Sequence, residues 1–189
     1  MLKFNVKGRD ISLSFSFFAI IALAAASDTK AVMISLLCCM IHEAGHLAAM
    51  LGFGVPVNGL CFYGGGIKIV APDFLVNRYK EAVILSAGCA VNAAAYAVCA
   101  LTGFASSEFA LANLMLCVFN LMPFKKLDGG RLAELTIGIS GKRYALFSTL
   151  RFAAAAVMIL LLVKAFLLHI ISFTLIAAAL YIVISEALC

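Results

Sequence analysis

The stretch Cys39-Met40-Ile41-His42-Glu43-Ala44-Gly45-His46-Leu47-Ala48-Ala49-Met50 decides how the rest of the chain is read. It holds the pattern H-E-x-x-H inside a long apolar run. On a helix, His42 and His46 are one turn apart and share a face. Two imidazoles so placed can grip one Zn²⁺, and Glu43 beside them can act as general base. The competing reading is a pair of structural histidines in a helix bundle. Ionisable groups are expensive in lipid, so a His-Glu-His cluster there points to function.

Composition supports the lipid setting. The chain has 189 residues, of which 65% are hydrophobic and 12% charged. Its mean hydropathy is +1.13. A soluble domain of this size lacks the interior for so much apolar side chain. The expectation is an all-α membrane protein with one membrane-embedded domain over 1–189 and a catalytic core at about 30–135. The net charge of +5 does not indicate nucleic acid, because the basic residues lie between apolar runs and read as topology determinants. The seven cysteines are scattered and form neither a disulfide framework nor a CxxC pair.

Six spans are predicted. Residues 11–27 form the first apolar run, with a cleaved signal peptide as its rival. Residues 31–53 form the second span and carry H-E-x-x-H; Gly54-Val55-Pro56 ends it. Residues 57–71 hold β-favouring side chains around Gly64-Gly65-Gly66, which predicts a small β-hairpin-like insertion between spans two and three. The third span covers 82–104, and its small residues suit close helix packing. The fourth covers 109–124 and ends at Pro123; a polar segment then runs from Lys125 to Arg151. Residues 152–168 and 170–188 are the fifth and sixth spans, with His169 at an outer surface.

Twelve of the 14 Lys and Arg residues fall on one side of this layout, leaving Lys30 and Lys164 on the other. The positive-inside rule then places both termini in the cytoplasm. Spans two and four both run inward. His46 lies about 10 Å from the inner end of its helix at 1.5 Å per residue. Asp128 follows the inner end of span four, in Asp128-Gly129-Gly130. Alone it reads equally well as an ordinary Asp-Gly turn. Beside two histidines it is the candidate third ligand, because catalytic zinc takes three protein ligands and a water. The two glycines are expected to turn the chain and aim the carboxylate into the bundle.

His42-Glu43-Ala44-Gly45-His46 in a span, followed by Asn120-Leu121-Met122-Pro123-Phe124-Lys125-Lys126-Leu127-Asp128-Gly129, resembles the site-2 protease family of intramembrane zinc metalloproteases. Ala87-Gly88-Cys89-Ala90-Val91-Asn92 is similar to that family's Ala-Gly-Pro-x-x-Asn, with Cys89 in place of the proline. The glycine stretch at 64–66 resembles the family's hairpin near the active site. The six-span layout is most like the branch of stage IV sporulation protein FB, which processes pro-sigma-K. Neither the PDZ domain of one branch nor the C-terminal CBS domain common in the sporulation branch is expected within these 189 residues, as for a short or truncated member.

The resemblance implies regulated intramembrane proteolysis in a bacterial cytoplasmic membrane, with the active site toward the cytoplasm. Zinc held by His42, His46 and Asp128 would activate water, and Glu43 would move its proton to the leaving amine. Asn92, Asn120 and Gly65 are tentative substrate-binding or oxyanion groups. For the two asparagines, interhelical hydrogen bonding is the equal alternative. The 57–71 stretch can offer a strand edge to an extended substrate. Expected partners are a membrane-tethered protein substrate of pro-sigma-factor type, membrane-protein regulators and the lipid bilayer, with no nucleic acid. Rival functions are an inactive relative serving as a membrane binding module, and a metal-ion transporter. Cys38 shares the His42 face, but a packed thiol is the better expectation.

Overall fold

A computed structural model describes residues 2–6, 9–26, 29–63, 66–70, 77–124, 127–137, 145, 147–149 and 151–153. Gly65, His169 and all of the expected fifth and sixth spans beyond residue 153 lie outside them. The chain divides into two compact units, Met1–Asn120 and Leu121–Cys189.

The first unit opens with β1 (Leu2–Val6) and β2 (Arg9–Leu13). Two helices follow, α1 (Phe15–Ala25) and α2 (Thr29–Gly52). Then come β3 (Gly59–Tyr63) and β4 (Gly66–Val70), α3 (Arg78–Leu101) and α4 (Glu108–Asn120). In the second unit, α5 spans Asp128–Ile137.

Helices α2 and α3 are long and apolar enough to cross a membrane, and only 22% of the most apolar window of each is buried. A soluble core helix would hide its apolar residues. Here Met33, Met40, Val98 and Met115 are exposed, while His42, His46, Asn92 and Asn113 are buried. That inverted arrangement matches lipid outside and polar contacts between helices. Helices α2, α3 and α4 pack on one another. The ion pair between Lys30 Nζ and Glu108 Oε1, at 2.8 Å, joins the first turns of α2 and α4, so these helices start at the same end. This agrees with the parallel sense expected for spans two and four.

The ends of α2 and α3 follow ordinary capping chemistry. Gly54 has φ +68° just past α2, and the amide of Val55 donates to Met50 O at 2.8 Å. Glycine takes that left-handed conformation without a Cβ penalty. Asn77 caps α3 by accepting from the Tyr79 amide at 3.2 Å.

Three expectations about the first unit need correction. First, the hairpin is not a free insertion. β3 and β4 pair antiparallel, as predicted, but β3 also pairs parallel with β2, giving one four-stranded sheet ordered β1-β2-β3-β4. Second, the first apolar run is not helical from residue 11. Ile11 to Leu13 belong to β2, because Ile11 and Leu13 alternate with Asp10 and Ser12 and pair with β1 and β3. The helix that follows has 11 residues, about 16 Å, well short of a hydrocarbon core of about 30 Å. Third, α4 ends at Asn120, before Pro123, and its 13 residues span about 20 Å.

The sheet is tightly joined to its neighbours. A Cβ on Gly59 would collide with the Asp10 carbonyl, so β2 and β3 can approach there only with glycine. The Asp10 amide donates to Asn58 O at 2.9 Å, and the Ser14 amide to Phe62 O at 2.8 Å. Phe17 of α1 meets Phe62 of β3 edge to face, with ring centroids 5.4 Å apart.

In the second unit, Phe124 is fully buried and the Leu127 amide donates to its carbonyl at 2.9 Å. The Arg131 amide donates to Leu127 O at 3.2 Å, starting α5. Asp128 is therefore the first helical residue, where a carboxylate suits the positive end of the helix dipole. Gly129 and Gly130 are helical too, not turn residues as expected. A Cβ on Gly129 would run into the Leu121 backbone, so the glycine permits close approach instead.

Candidate metal centre

The centre lies where α2 and α3 cross. Gly45, between the two histidines, makes that crossing tight: a Cβ there would sit 2.7 Å from Ala87 O. On the facing turn, a Cβ on Gly88 would overlap His46 Nε2 and lie 2.8 Å from His42 Nε2. The imidazoles thus lie flush against the α3 backbone. Both histidines are buried, at 5% and 8% exposure.

Hydrogen bonds set their tautomers. Asn92 Nδ2 donates to Asn113 Oδ1 at 2.9 Å and to Cys38 O at 3.4 Å. That leaves Asn92 Oδ1 facing His42 Nδ1 at 3.1 Å, so Nδ1 carries the proton. His46 Nδ1 lies 2.7 Å from Ile84 O, which can only accept. It too carries its proton. Both Nε2 atoms are therefore lone-pair donors, and they face each other 3.2 Å apart.

Two neutral imidazoles gain nothing from facing lone pairs, whereas a shared cation makes the arrangement favourable. Two nitrogens bound to one tetrahedral zinc at about 2.0–2.1 Å lie about 3.3 Å apart. The pair fits that requirement. Each Nδ1 also has the kind of outer partner that metal-bound histidine keeps, a carbonyl or an amide oxygen.

The same network reaches α4. Asn113 Nδ2 donates to Phe109 O at 2.9 Å and to Cys38 Sγ at 3.2 Å. Asn92 and Asn113 are both fully buried. Asn92 thus bonds between helices, the alternative weighed for it, and it also holds His42, a role not expected for it. Cys38 is a packed thiol in this network, as expected. Asn120 Nδ2 donates to Leu116 O on its own helix at 3.0 Å. Glu43 is half-buried on α2 beside His42. Asp128 opens α5 in the second unit.

Three contributors escaped the sequence reading. Asn113 was legible as an amide inside an apolar run, the kind of residue that lipid penalises unless it is bonded. Gly88 was noticed as part of a motif and not as the surface against which the imidazoles rest. Cys89 is buried, and its Sγ lies within 4.8 Å of a His42 ring nitrogen.

The sequence matches no protein-family model. No curated protein matches it either. Among solved structures it is similar to a Site-2 Protease from Methanocaldococcus jannaschii, with a TM-score of 0.66 and 19% identity. That match covers 98% of this chain and 94% of the other. The likeness establishes a shared fold across nearly the whole chain; the chemistry rests on the residues themselves.

Proposed function

We propose that this protein is an intramembrane zinc metalloprotease. It would hydrolyse a peptide bond in or next to a transmembrane segment of a membrane-tethered protein. The observation that carries the reading is the pair of Nε2 lone pairs 3.2 Å apart, each fixed by a bond at Nδ1, on a helix with an apolar exterior. The fold shared with a site-2 protease supports it.

His42 and His46 hold the metal, and Asp128 is the proposed third ligand. When bound, zinc supplies Lewis-acid activation of a water and of the scissile carbonyl. Glu43, next to His42, takes the proton of the attacking water and passes it to the leaving amine. Asn113 and Asn92 keep His42 in the tautomer that leaves Nε2 basic. The buried setting limits the site to substrate that has been unwound, since helical amides are already bonded and shielded. Asn120 and Gly65 are proposed to bind the unwound backbone, with β4 offering a sheet edge to it.

The wider proposal is a six-span protein of a bacterial cytoplasmic membrane. Its termini and catalytic side face the cytoplasm, and it forms one protease domain. The branch proposed is the sporulation one, which processes a pro-sigma factor, with membrane-protein regulators as partners. The test is zinc content and cleavage of a membrane-tethered substrate in liposomes, wild type against Glu43→Gln. Retained zinc with cleavage reduced about 10²–10⁴-fold is expected for loss of a general base. Zinc in both proteins with equal cleavage would remove Glu43 from the mechanism. Wild type without zinc would overturn the metal centre.

A further inference from the structure

We infer that Cys38 is a positioning residue for the metal centre, acting on His42 through Asn113 and Asn92. The inference rests on the metal centre proposed above and gives this buried thiol a role beyond packing.

Cys38 sits one turn before His42 on α2 and is 1% exposed. Its atoms meet both amides of the network. The sulfur accepts from Asn113 Nδ2 at 3.2 Å, and the carbonyl accepts from Asn92 Nδ2 at 3.4 Å. Asn113 Nδ2 has a second acceptor in Phe109 O, at 2.9 Å. The Cys38 thiol also donates to that carbonyl, at 3.9 Å. Both protons of Asn113 Nδ2 are thereby placed. Its Oδ1 is then the atom that accepts from Asn92, at 2.9 Å.

An amide has a donor end and an acceptor end, so a buried chain of two amides has a direction. In the observed direction Asn92 Oδ1 faces His42 Nδ1 at 3.1 Å. If both amides turned over, Asn92 Nδ2 would face Nδ1 instead. Nδ1 would then have to accept, and the ring proton would sit on Nε2, the atom that must bind metal. The direction of the chain is therefore a condition of metal binding at His42. The carbonyls of Phe109 and Cys38 favour it, and the Cys38 sulfur adds a side-chain acceptor at the α4 end. Without that sulfur, one buried proton of Asn113 Nδ2 loses its acceptor, and the observed direction loses part of its advantage. A serine hydroxyl could accept in its place; alanine and valine could not.

The experiment uses the full chain in detergent and compares wild type with Cys38→Ser, Cys38→Ala, Asn113→Leu and the Cys38→Ala/Asn113→Leu double variant. Nitrogen NMR of metal-free protein, at a pH where the imidazoles are neutral, reads which ring nitrogen of His42 carries the proton. The three histidines are assigned by single substitution. Chelator competition reads zinc affinity. Wild type and Cys38→Ser should show the proton on Nδ1, and Cys38→Ala should move part of it to Nε2. Zinc affinity should fall roughly threefold to tenfold in Cys38→Ala, less than the loss of a direct outer-shell partner, and serine should restore most of it. The double variant should bind zinc as Asn113→Leu does, because the two residues act along one route. Cys38→Val fills the space without an acceptor and gives the same comparison if Cys38→Ala fails to fold. Unchanged tautomer and affinity without the sulfur would overturn the inference. Serine no better than alanine would also overturn it and leave the thiol as packing, as would additive losses in the double variant. Wild type that binds no zinc would overturn the metal centre, whereas a proton on Nε2 of His42 in metal-free wild type would overturn the relay itself.

Discussion

The helix cluster and the sheet are built by opposite rules. In α2, α3 and α4 the polar groups point inward and are linked, from Cys38 through Asn113 and Asn92 to His42, while apolar side chains face out. In the sheet, backbone bonding does the joining. The cluster is tuned for one chemical arrangement, so small changes there should be read at the metal. The sheet is tuned for register, so changes there should be read as stability or substrate use. Lipid explains the difference. Between helices in a bilayer, burial of apolar area gives no drive, and buried amides and close backbone contacts must specify the fit.

That contrast can be broken in a graded way. The largest effect is expected at Gly88→Val. A side chain there enters the space of both imidazoles, so stoichiometric zinc should be lost. Elemental analysis of folded protein checks this; normal zinc content would mean the rings have room to move. Next is Asn113→Leu, which touches no ligand. Losing an outer-shell partner should weaken zinc binding about 10–100-fold, measured by chelator competition, with the fold kept. An unchanged affinity would reduce the Asn113–Asn92 link to packing.

In the sheet, Gly59→Val should destabilise by about 1–3 kcal/mol through overpacking against Asp10. Zinc affinity of the remaining folded protein should not change. Thermal unfolding and metal titration on the same sample test both halves; a parallel loss of zinc would erase the distinction between the regions. The smallest effect is expected at Lys30→Ala. Its pair with Glu108 is well exposed on both sides and should contribute about 0.2–1 kcal/mol or less.

Much of the helix cluster was legible in the sequence. His42 and His46 could be placed on one face from spacing alone, and apolar length located α2 and α3 within a few residues. The parallel sense of α2 and α4 followed from the connectivity. What failed was local and had physical causes. Leu2, Phe4 and Val6 alternate with Lys3 and Asn5, a strand signal, but the stretch is short and polar enough to read as a tail. Ile11 and Leu13 were absorbed into the helix that follows because composition does not distinguish a strand from a short apolar helix start. The β2–β3 pairing joins residues far apart in sequence, and periodicity carries no information about such partners. At the site, the donor atoms were readable, but the tautomers were not. That of His46 depends on the Ile84 carbonyl, and that of His42 on which atom of Asn92 faces it, which in turn depends on α4.

The parallel pairing of β2 with β3 has a consequence for how the chain is made. Asp10 pairs with Gly59, 49 positions later, and the helices α1 and α2 lie between them. A ribosome therefore delivers β2 well before its partner exists. Until α2 has been handed to the membrane and β3 has emerged, one edge of β2 has nothing to bond, which is the condition that invites wrong pairing. Closing so long a loop also carries an entropic cost before any bond rewards it. Completion of the sheet thus has to wait for α2, and the histidines it carries, to be made.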